Sequence, residues 1–486
     1  MERQKLRENP SRRDFFSHVG SGLHGAALAC LLGNDLFLTN PVLASTGPVG
    51  KTEGQMPRAP HFDPKAKSVI HLFMNGGPSQ VDLFDPKPAL EKYAGSAPPR
   101  DIVNQLEFTD EVGGLLPSPF KFAPRGKCGM ELSELLPNLW EAADEITLIR
   151  SMYGEHFNHS PALFLMHSGR TLPGRPSLGS WVVYGLGTEN QNLPGYVVLD
   201  DPLGYPINDL QNWHSGWLSP MYQGTKFRSD GPPVLNLKRA EELPTQLVEA
   251  ERSLLRRLNA AHREARPFQP QLDARVASYE LAARMQLATT DALDLSQESE
   301  KTKEMYGLDD ERTRSYGTRC LMARRLVERG VRFVQVFIEY QIWDNHLSLQ
   351  RELTYACRKT DKPAAALLKD LRQRGLLDST LVMWSGEFGR MPLSQVGQAG
   401  SVGRDHGPAG FSLWMAGGGT KRGYVHGATD EIGHKAVENR VSVHDFHATM
   451  LHLLGLDPHK LVYQRNGLEE RLISQYPARV VTEILV

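Results

Sequence analysis

The chain has 486 residues, 40% apolar and 23% charged, the make-up of a globular protein with ample core. A formal net charge of −1 gives no argument for nucleic acid or an anionic membrane surface as a partner. Four cysteines are too few for a disulfide framework, though one bridge is conceivable, so stability must rest on a buried core.

The amino end falls into three parts. A basic stretch ends in Ser11-Arg12-Arg13-Asp14-Phe15-Phe16, the residues from Phe15 to Asn34 contain no Asp, Glu, Lys or Arg, and Val42-Leu43-Ala44 offers small residues to a signal peptidase. Histidines and glycines dilute the apolar part, which falls short of the roughly 18 strongly apolar residues of a spanning helix. Residues 1–44 therefore read as a twin-arginine signal peptide, addressed to the twin-arginine export machinery through its Arg pair. The expectation is a protein of the periplasm or cell surface, with no stable membrane span after processing; an uncleaved tether is the competing reading. Residues 45–66, rich in Gly, Pro and Lys, read as a linker, and residues 67–486 as one α/β domain.

Ser68–Met74 reads as a buried strand that runs into Asn75-Gly76-Gly77-Pro78-Ser79. Leu132–Ala143 is read as helical and precedes a strand at Ile146–Arg150. Residues 245–305, charged and rich in Ala and Leu, form a helical insertion divided at Pro267 and Pro270. Beyond it come a helix at Thr318–Arg329, a strand at Val331–Ile338, a helix at Pro363–Arg374, strands at Leu381–Ser385 and Phe411–Ala416, and a helix at Val443–Leu454. This alternation predicts the α/β class, with a large, mostly parallel sheet and helices on both faces. Functional residues of such sheets sit beyond the carboxyl ends of the strands.

Those ends are chemically rich. Asn75 and Asp82 follow the first strand, Asn158 and His159 the strand at 146–150, Asp344 and His346 the strand at 331–338, and Glu387 and Arg390 the strand at 381–385. Arg404, Asp405 and His406 precede the strand at 411. Imidazole with carboxylate suits Zn, Mn, Fe or Ni, and carboxylate with little imidazole suits Mg or Ca. Asp344 and His346, two residues apart on an extended loop, can face one ion. Hydrolysis of a phosphate or sulfate ester needs its charge neutralised, by metal ions or by an arginine fork such as Arg390 or Arg170. Taken singly, each residue has a plainer reading as a turn, a cap or a surface group. His444 and His447 read as structural on their helix, and His426 lies in a Gly-rich loop.

Leu377–Gly389, LDSTLVMWSGEFG, resembles the sulfatase stretch L-D-N-T-L-V-I-F-T-S-D-H-G. His159–Arg170, HSPALFLMHSGR, is similar to the sulfatase nucleophile segment C-T-P-S-R-A-A-L-L-T-G-R, and Val443–Leu456 to the late D-L-F-P-T-L-L-D-L-A-G-I helix. Order and spacing resemble the alkaline phosphatase/sulfatase superfamily over almost the whole chain after the signal. Within it, Asn75–Lys87, Cys320–Val334, Glu387–Arg390 and Gly403–His406 resemble the domain-of-unknown-function 1501 family of exported bacterial proteins.

The resemblance implies a divalent metal centre of one or two ions (Zn, Mn or Ca/Mg) and a small-molecule or glycan ester as substrate. Asp344, His346 and His406 match metal ligands, with Glu387, Asn75 and Asp405 as further candidates. His159 stands where the superfamily places its nucleophile, to attack or to handle protons. Glu387 would bind a second ion or act as general base (its plainer reading is a helix cap), Asn158 and Arg390 would contact the ester oxygens, and Arg170, Arg404 and His426 are candidates for substrate binding. Three departures stand out. His159 replaces the cysteine that sulfatases convert to formylglycine, Asn75 replaces a metal-binding Asp for which Asp82 is a substitute, and Glu387-Phe388 replaces an Asp-His pair. The expected function is an exported, metal-dependent hydrolase of phosphate or sulfate esters without a formylglycine nucleophile. The alternative is a non-catalytic binding or scaffold protein that recognises sulfated or phosphorylated glycans on the same fold.

Overall fold

Strand β1 (Ser68–Phe73) is buried along its whole length because it feeds two cores at once. Ile70 and Leu72 enter one hydrophobic cluster, Val69 and Phe73 the other, as the alternation of side chains along a strand requires. The computed structural model describes residues 55–103, 112–234, 243–266, 269–396 and 401–486, so the signal-peptide reading of residues 1–44 lies outside the described residues.

Around β1 a nine-stranded sheet assembles from β2 (Ile146–Tyr153), β3 (Tyr196–Leu199), β4 (Thr225–Phe227), β5 (Phe333–Phe337), β6 (Thr380–Ser385), β7 (Phe411–Ala416), β8 (Tyr424–His426) and β9 (Val441–Ser442). Its order is β8-β2-β7-β6-β1-β5-β3-β4, with β9 paired to β2. β1 pairs in parallel with both β5 and β6, and β7 alone runs antiparallel to its neighbours. Helices α1 (His159–Ser168), α2 (Leu178–Leu186) and α7 (Val443–Leu453) contribute to one core, and α5 (Glu311–Glu328) and α6 (Leu349–Gln373) to the other. Both faces are thus covered, as a mostly parallel sheet demands. This is the expected fold class.

The expected helical insertion contains α3 (Thr245–Glu264) and α4 (Pro270–Leu293), the second opening at Pro270, a position that tolerates the missing N–H. The described residues divide into two compact units. One holds α3 and the part of α4 up to Ala277, and the other holds the sheet with its helices. No described helix is long and apolar enough to cross a membrane. Cys128, Cys320 and Cys357 are all free thiols.

Two local expectations fail for physical reasons. Leu132–Ala143 is not a helix: Met130–Ser133 pairs with Phe122–Arg125, and only Leu139–Glu145 winds into a 3₁₀ turn. Pro137 separates the two, and the Asp361 carboxylate accepts the backbone N–H groups of Asn138 (2.7 Å) and Leu139 (3.0 Å) at the start of the turn. Helix α6 begins at Leu349 rather than at Pro363, which lies inside it. Burial of Leu349, Leu353, Ala356, Leu367, Leu368 and Leu371 outweighs the roughly 3 kcal/mol that an internal proline costs.

Candidate metal centre

The antiparallel course of β7 explains why its approach segment belongs to the site. Its first residue lies at the end of the sheet where β1, β2, β5 and β6 finish, so His406 arrives beside residues that follow those strands. A short ladder pairs Arg390 with His406 and Gly389 with Gly407, tying the segment after β6 to the one before β7. The Asn75-Gly76-Gly77 turn closes the floor. Gly76 has φ +114°, and a Cβ there would lie 2.5 Å from the Asp344 amide nitrogen; a Cβ on Gly77 would meet the Phe388 ring at 2.5 Å.

His159, Asp344, His346 and His406 each present a ligand atom within 4.8 Å of the others. His346 Nε2 lies 2.9 Å from both His406 Nε2 and Asp344 Oδ1, and His406 Nε2 lies 3.2 Å from that same oxygen. Ligands held about 2.0–2.1 Å from one ion at angles of 90–110° are about 2.9–3.4 Å apart, so this spacing fits a shared cation. Two further observations agree. His346 Nδ1 donates to Gln395 Oε1 (2.5 Å), which leaves the Nε2 lone pair turned toward Asp344 and His406. His159 Nε2 is buried without an aligned hydrogen bond, although Asp344 Oδ2 lies 3.3 Å away. The donor set, three imidazoles and a carboxylate, suits Zn or another transition ion better than Mg or Ca.

Burial disfavours the Asp344 carboxylate, yet the Arg390 guanidinium (2.5 Å) and the three imidazoles hold it well below the usual carboxylate range. Burial also opposes protonation of His159, but the neighbouring carboxylates of Asp344 and Glu387 overcome it and raise that imidazole to about 9. His406 goes the other way, pushed down to about 3 by burial and by the positive charge of Arg390 and His159, against the pull of Asp344. Without an ion, one proton therefore settles on His159 and not on His406, and an ion bound at His159 Nε2 would have to displace it.

Among the sequence-derived candidates, Glu387 and Arg390 join the four clustered residues, in supporting positions. Glu387 Oε1 accepts from His159 Nδ1 (2.7 Å) and the Gly76 N–H (2.9 Å), holding the imidazole from behind. Arg390 is fully buried and donates to the carbonyls of Gly76, Gly77 (2.9 Å) and Arg404 (3.1 Å) as well as to Asp344, so its guanidinium faces protein groups rather than solvent. The Asn75 amide donates to the carbonyls of Ile338 (2.5 Å) and Tyr340 (2.8 Å) and braces the loop that carries Asp344. Asp405 accepts from the His406 N–H (2.7 Å).

The remaining candidates do not converge. Asn158 is the exposed N-cap of α1, accepting the Ser160 N–H at 3.2 Å. Arg404 forks onto Asp82 at 2.7 and 3.0 Å, both side chains fully buried, which occupies the arginine and the substitute carboxylate together. Arg170 follows the far end of α1, about 15 Å along the helix from His159, with its guanidinium over the Tyr476 ring. His426 is buried on the strand β8 beside β2. His444 and His447 bond the carbonyls of Gly169 (3.0 Å) and Met166 (2.8 Å), the structural role expected of them.

Sequence reasoning missed Gln395, Gln341 and Phe388 as site residues. Gln341 shares the loop of Asp344 and brings its amide to 3.0 Å from His159 Nδ1, so proximity in sequence was an available signal. Gln395 lies on a separate strand, Leu393–Val396, and nothing local marks it. Phe388 packs on His159 and His406 with centroids 4.9 and 4.6 Å apart, walling the cluster where the resemblance expects a histidine.

A family model described as protein of unknown function (DUF1501) matches residues 66–485. No curated protein matches. Among solved structures, the chain is similar to a sulfatase from Pseudoalteromonas sp. (13% identity, 92% of this chain and 72% of that one, TM-score 0.31). It is similar also to a phosphonate monoester hydrolase from Silicibacter pomeroyi (11%, 86% and 76%, 0.34) and to a protein in the alkaline phosphatase superfamily from Vibrio parahaemolyticus (10%, 89% and 74%, 0.33). Superpositions this loose carry no argument about activity.

Proposed function

Since the chain belongs to the DUF1501 family, whose description leaves activity open, we propose from its site that it is a metal-dependent hydrolase of phosphate or sulfate esters. The observation that carries this reading is the convergence of His159, Asp344, His346 and His406. A divalent ion held there would polarise the ester and lower the pKa of the attacking water. The chain's own residues do the rest. Gln395 fixes the tautomer of His346, Glu387 orients His159, and Arg390 keeps Asp344 ionised. The start of α1, at His159, favours an anionic ester through its helix dipole. His159 thus acts as a ligand rather than as the nucleophile its sequence position suggests. Because Phe388 occupies the adjoining wall, the centre takes one ion.

The test is elemental analysis of the purified chain, followed by turnover of aryl phosphate and aryl sulfate esters with Zn, Mn, Mg and Ca. One equivalent of metal with turnover is the expected result; a chain that refuses every ion removes the reading. Glu387→Gln should keep the fold and weaken metal affinity about 10–100-fold, as loss of an orienting carboxylate does. Competition titration against a chelator measures this, and wild-type affinity in the variant would deny Glu387 its positioning role.

The inward-facing guanidinium of Arg390 favours one rival reading, a binding protein without turnover. Stoichiometric metal without hydrolysis of any ester in the panel would select it. Export in folded form is likewise proposed from the Arg12-Arg13 pair. Substituting both by lysine should strand the precursor in the cytoplasm, read by fractionation; a variant exported as well as the wild type would sink the twin-arginine assignment.

A further inference from the structure

A cavity of about 520 Å³ opens against helix α6, lined by Arg312, Arg351, Tyr355, Arg358 and Lys359, with no carboxylate in its wall. The nearest buried acid, Glu339, is already neutralised, by an ion pair to Lys359 and a hydrogen bond from the Tyr355 hydroxyl (2.8 Å). Arg351 is shared with Glu352 (2.7 Å), and Asp310 caps α5 by accepting the Arg312 N–H (2.9 Å). The guanidinium groups of Arg312 and Arg358 are exposed and have no ion-pair partner among the described residues. The cavity therefore offers positive charge that the protein itself does not consume.

Its position matters as much as its charge. The segment that leaves β5 carries Glu339, then Tyr340 and Gln341, then Asp344 and His346 of the metal centre, and enters α6 at Leu349. Arg351, Tyr355 and Lys359 recur at four-residue spacing along one helix face, starting five residues after His346. At about 1.5 Å per residue the face extends about 10–15 Å, a span that an oligosaccharide covers and a small monoester does not.

Tyr340, on the segment that joins the two, belongs to an exposed apolar group. Leu203, Tyr205, Ile207, Leu210 and Tyr340 are all at least 40% exposed. Tyr340 is held at φ +38°, and a Cβ on Gly204 would fall 2.2 Å from its ring, so the ring lies flush against that glycine. Asn208, Asp209 and Ser348, in the same two loops, are also left-handed. Strain of this kind persists where surrounding structure enforces it, and it gathers at binding sites.

We propose that this cavity is an anion subsite that seats a second sulfate or phosphate group of the substrate, which is then a multiply charged oligosaccharide lying across Tyr340. The word substrate rests on the hydrolase reading; the subsite itself does not. Arginine forks suit the planar oxygen faces of sulfate and phosphate, and an exposed aromatic ring suits the apolar face of a sugar.

The experiment is equilibrium binding to the metal-loaded full chain at physiological ionic strength, with a dextran sulfate hexasaccharide, the unsulfated dextran of equal length and a charge-matched oligothymidylate as probes. Wild type should bind the sulfated probe at least tenfold more tightly than either of the others. R312A/R358A should lose about tenfold or more in affinity for it, and R358E more, with metal content and melting temperature unchanged. R256A/R257A, which removes two exposed charges from α3, should bind as wild type does. Equal binding by R312A/R358A and wild type, an equal loss in R256A/R257A, or preference for the oligothymidylate would overturn the proposal. A wild type that binds the sulfated probe but hydrolyses no ester would remove the hydrolase reading and leave the subsite standing.

Discussion

Replacing His406 with alanine should abolish metal retention and lower ester hydrolysis by about a thousandfold or more. Its Nε2 sits 2.9 Å from His346 Nε2 and 3.2 Å from Asp344 Oδ1, in a side chain that is only 5% exposed, so no solvent-borne group readily takes its place. Burial keeps the ring neutral near pH 7, with its pKa pushed down to about 3, and a neutral imidazole is the form that binds metal. A bound ion contributes several kcal/mol of transition-state stabilisation, and each 1.4 kcal/mol is about tenfold in rate. Metal content after dialysis and turnover of aryl phosphates and sulfates measure the effect. A variant that keeps both its ion and its rate would show the centre to be misassigned.

The second large effect is on stability in acid. His71, His167 and His447 are packed together on the core face of β1 shared with α1 and α7, His71 and His167 with ring centroids 6.2 Å apart. Burial pushes His71 down to about 3, with His447 adding to it, and pushes His447 down to about 3, with His444 adding. Burial lowers His167 well below its usual value too; its ring lies against Phe73 and Phe337, and neither nitrogen has a hydrogen-bond partner among the described residues.

Above about pH 6.5 these rings are neutral whether the chain is folded or not, and they contribute no pH dependence. Below it the unfolded chain binds protons that the folded chain refuses, so stability falls as the pH drops. The slope is about 1.4 kcal/mol per pH unit for each histidine, and it continues to about pH 3 for His71 and His447. For those two together the loss between pH 6.5 and 4.5 is on the order of 5 kcal/mol, against a total stability of about 5–15 kcal/mol. Asp361, raised to about 6 by burial, offsets part of this with the opposite sign, because below that value the folded chain holds a proton that the unfolded chain releases. Urea midpoints at several pH values measure the profile. His167→Phe should flatten it by about one histidine's share; a parallel profile in that variant would place the acid sensitivity elsewhere.

The fold class was legible in the sequence because the five strands β1, β2, β5, β6 and β7 each carried an apolar signal, whereas the short strands β3, β4, β8 and β9 carried none that was read. β7 was bounded at both ends as expected, and the polar residues beyond the strand ends marked the right edge of the sheet. What sequence could not show was the difference between a side chain that reaches the cluster and one consumed by a buried partner. Arg404 and Asp82 lie 322 positions apart, and only the fold reveals that they neutralise each other. Arg390 had the right position for an ester fork, but the Gly76-Gly77 carbonyls claim its N–H groups. The start of α6 was missed because Pro363 is a local veto, whereas the apolar face that overrides it is visible only against α5 and the sheet. Glu387 read equally well as ligand, base or cap, and only the fold shows that its Oε1 lies 2.7 Å from His159 Nδ1.

β1 pairs in parallel with strands that begin about 260 and about 310 residues later in the chain. Such pairings join residues remote in sequence, and the loop entropy they close makes them slow to form. At a synthesis rate of about 5–20 residues per second, the first strand waits more than about ten seconds for its earlier neighbour to leave the ribosome. Its mostly apolar side chains have no lasting partner in that interval. The centre of this sheet is thus the first part of it made and among the last satisfied, which leaves apolar surface exposed to aggregation during synthesis.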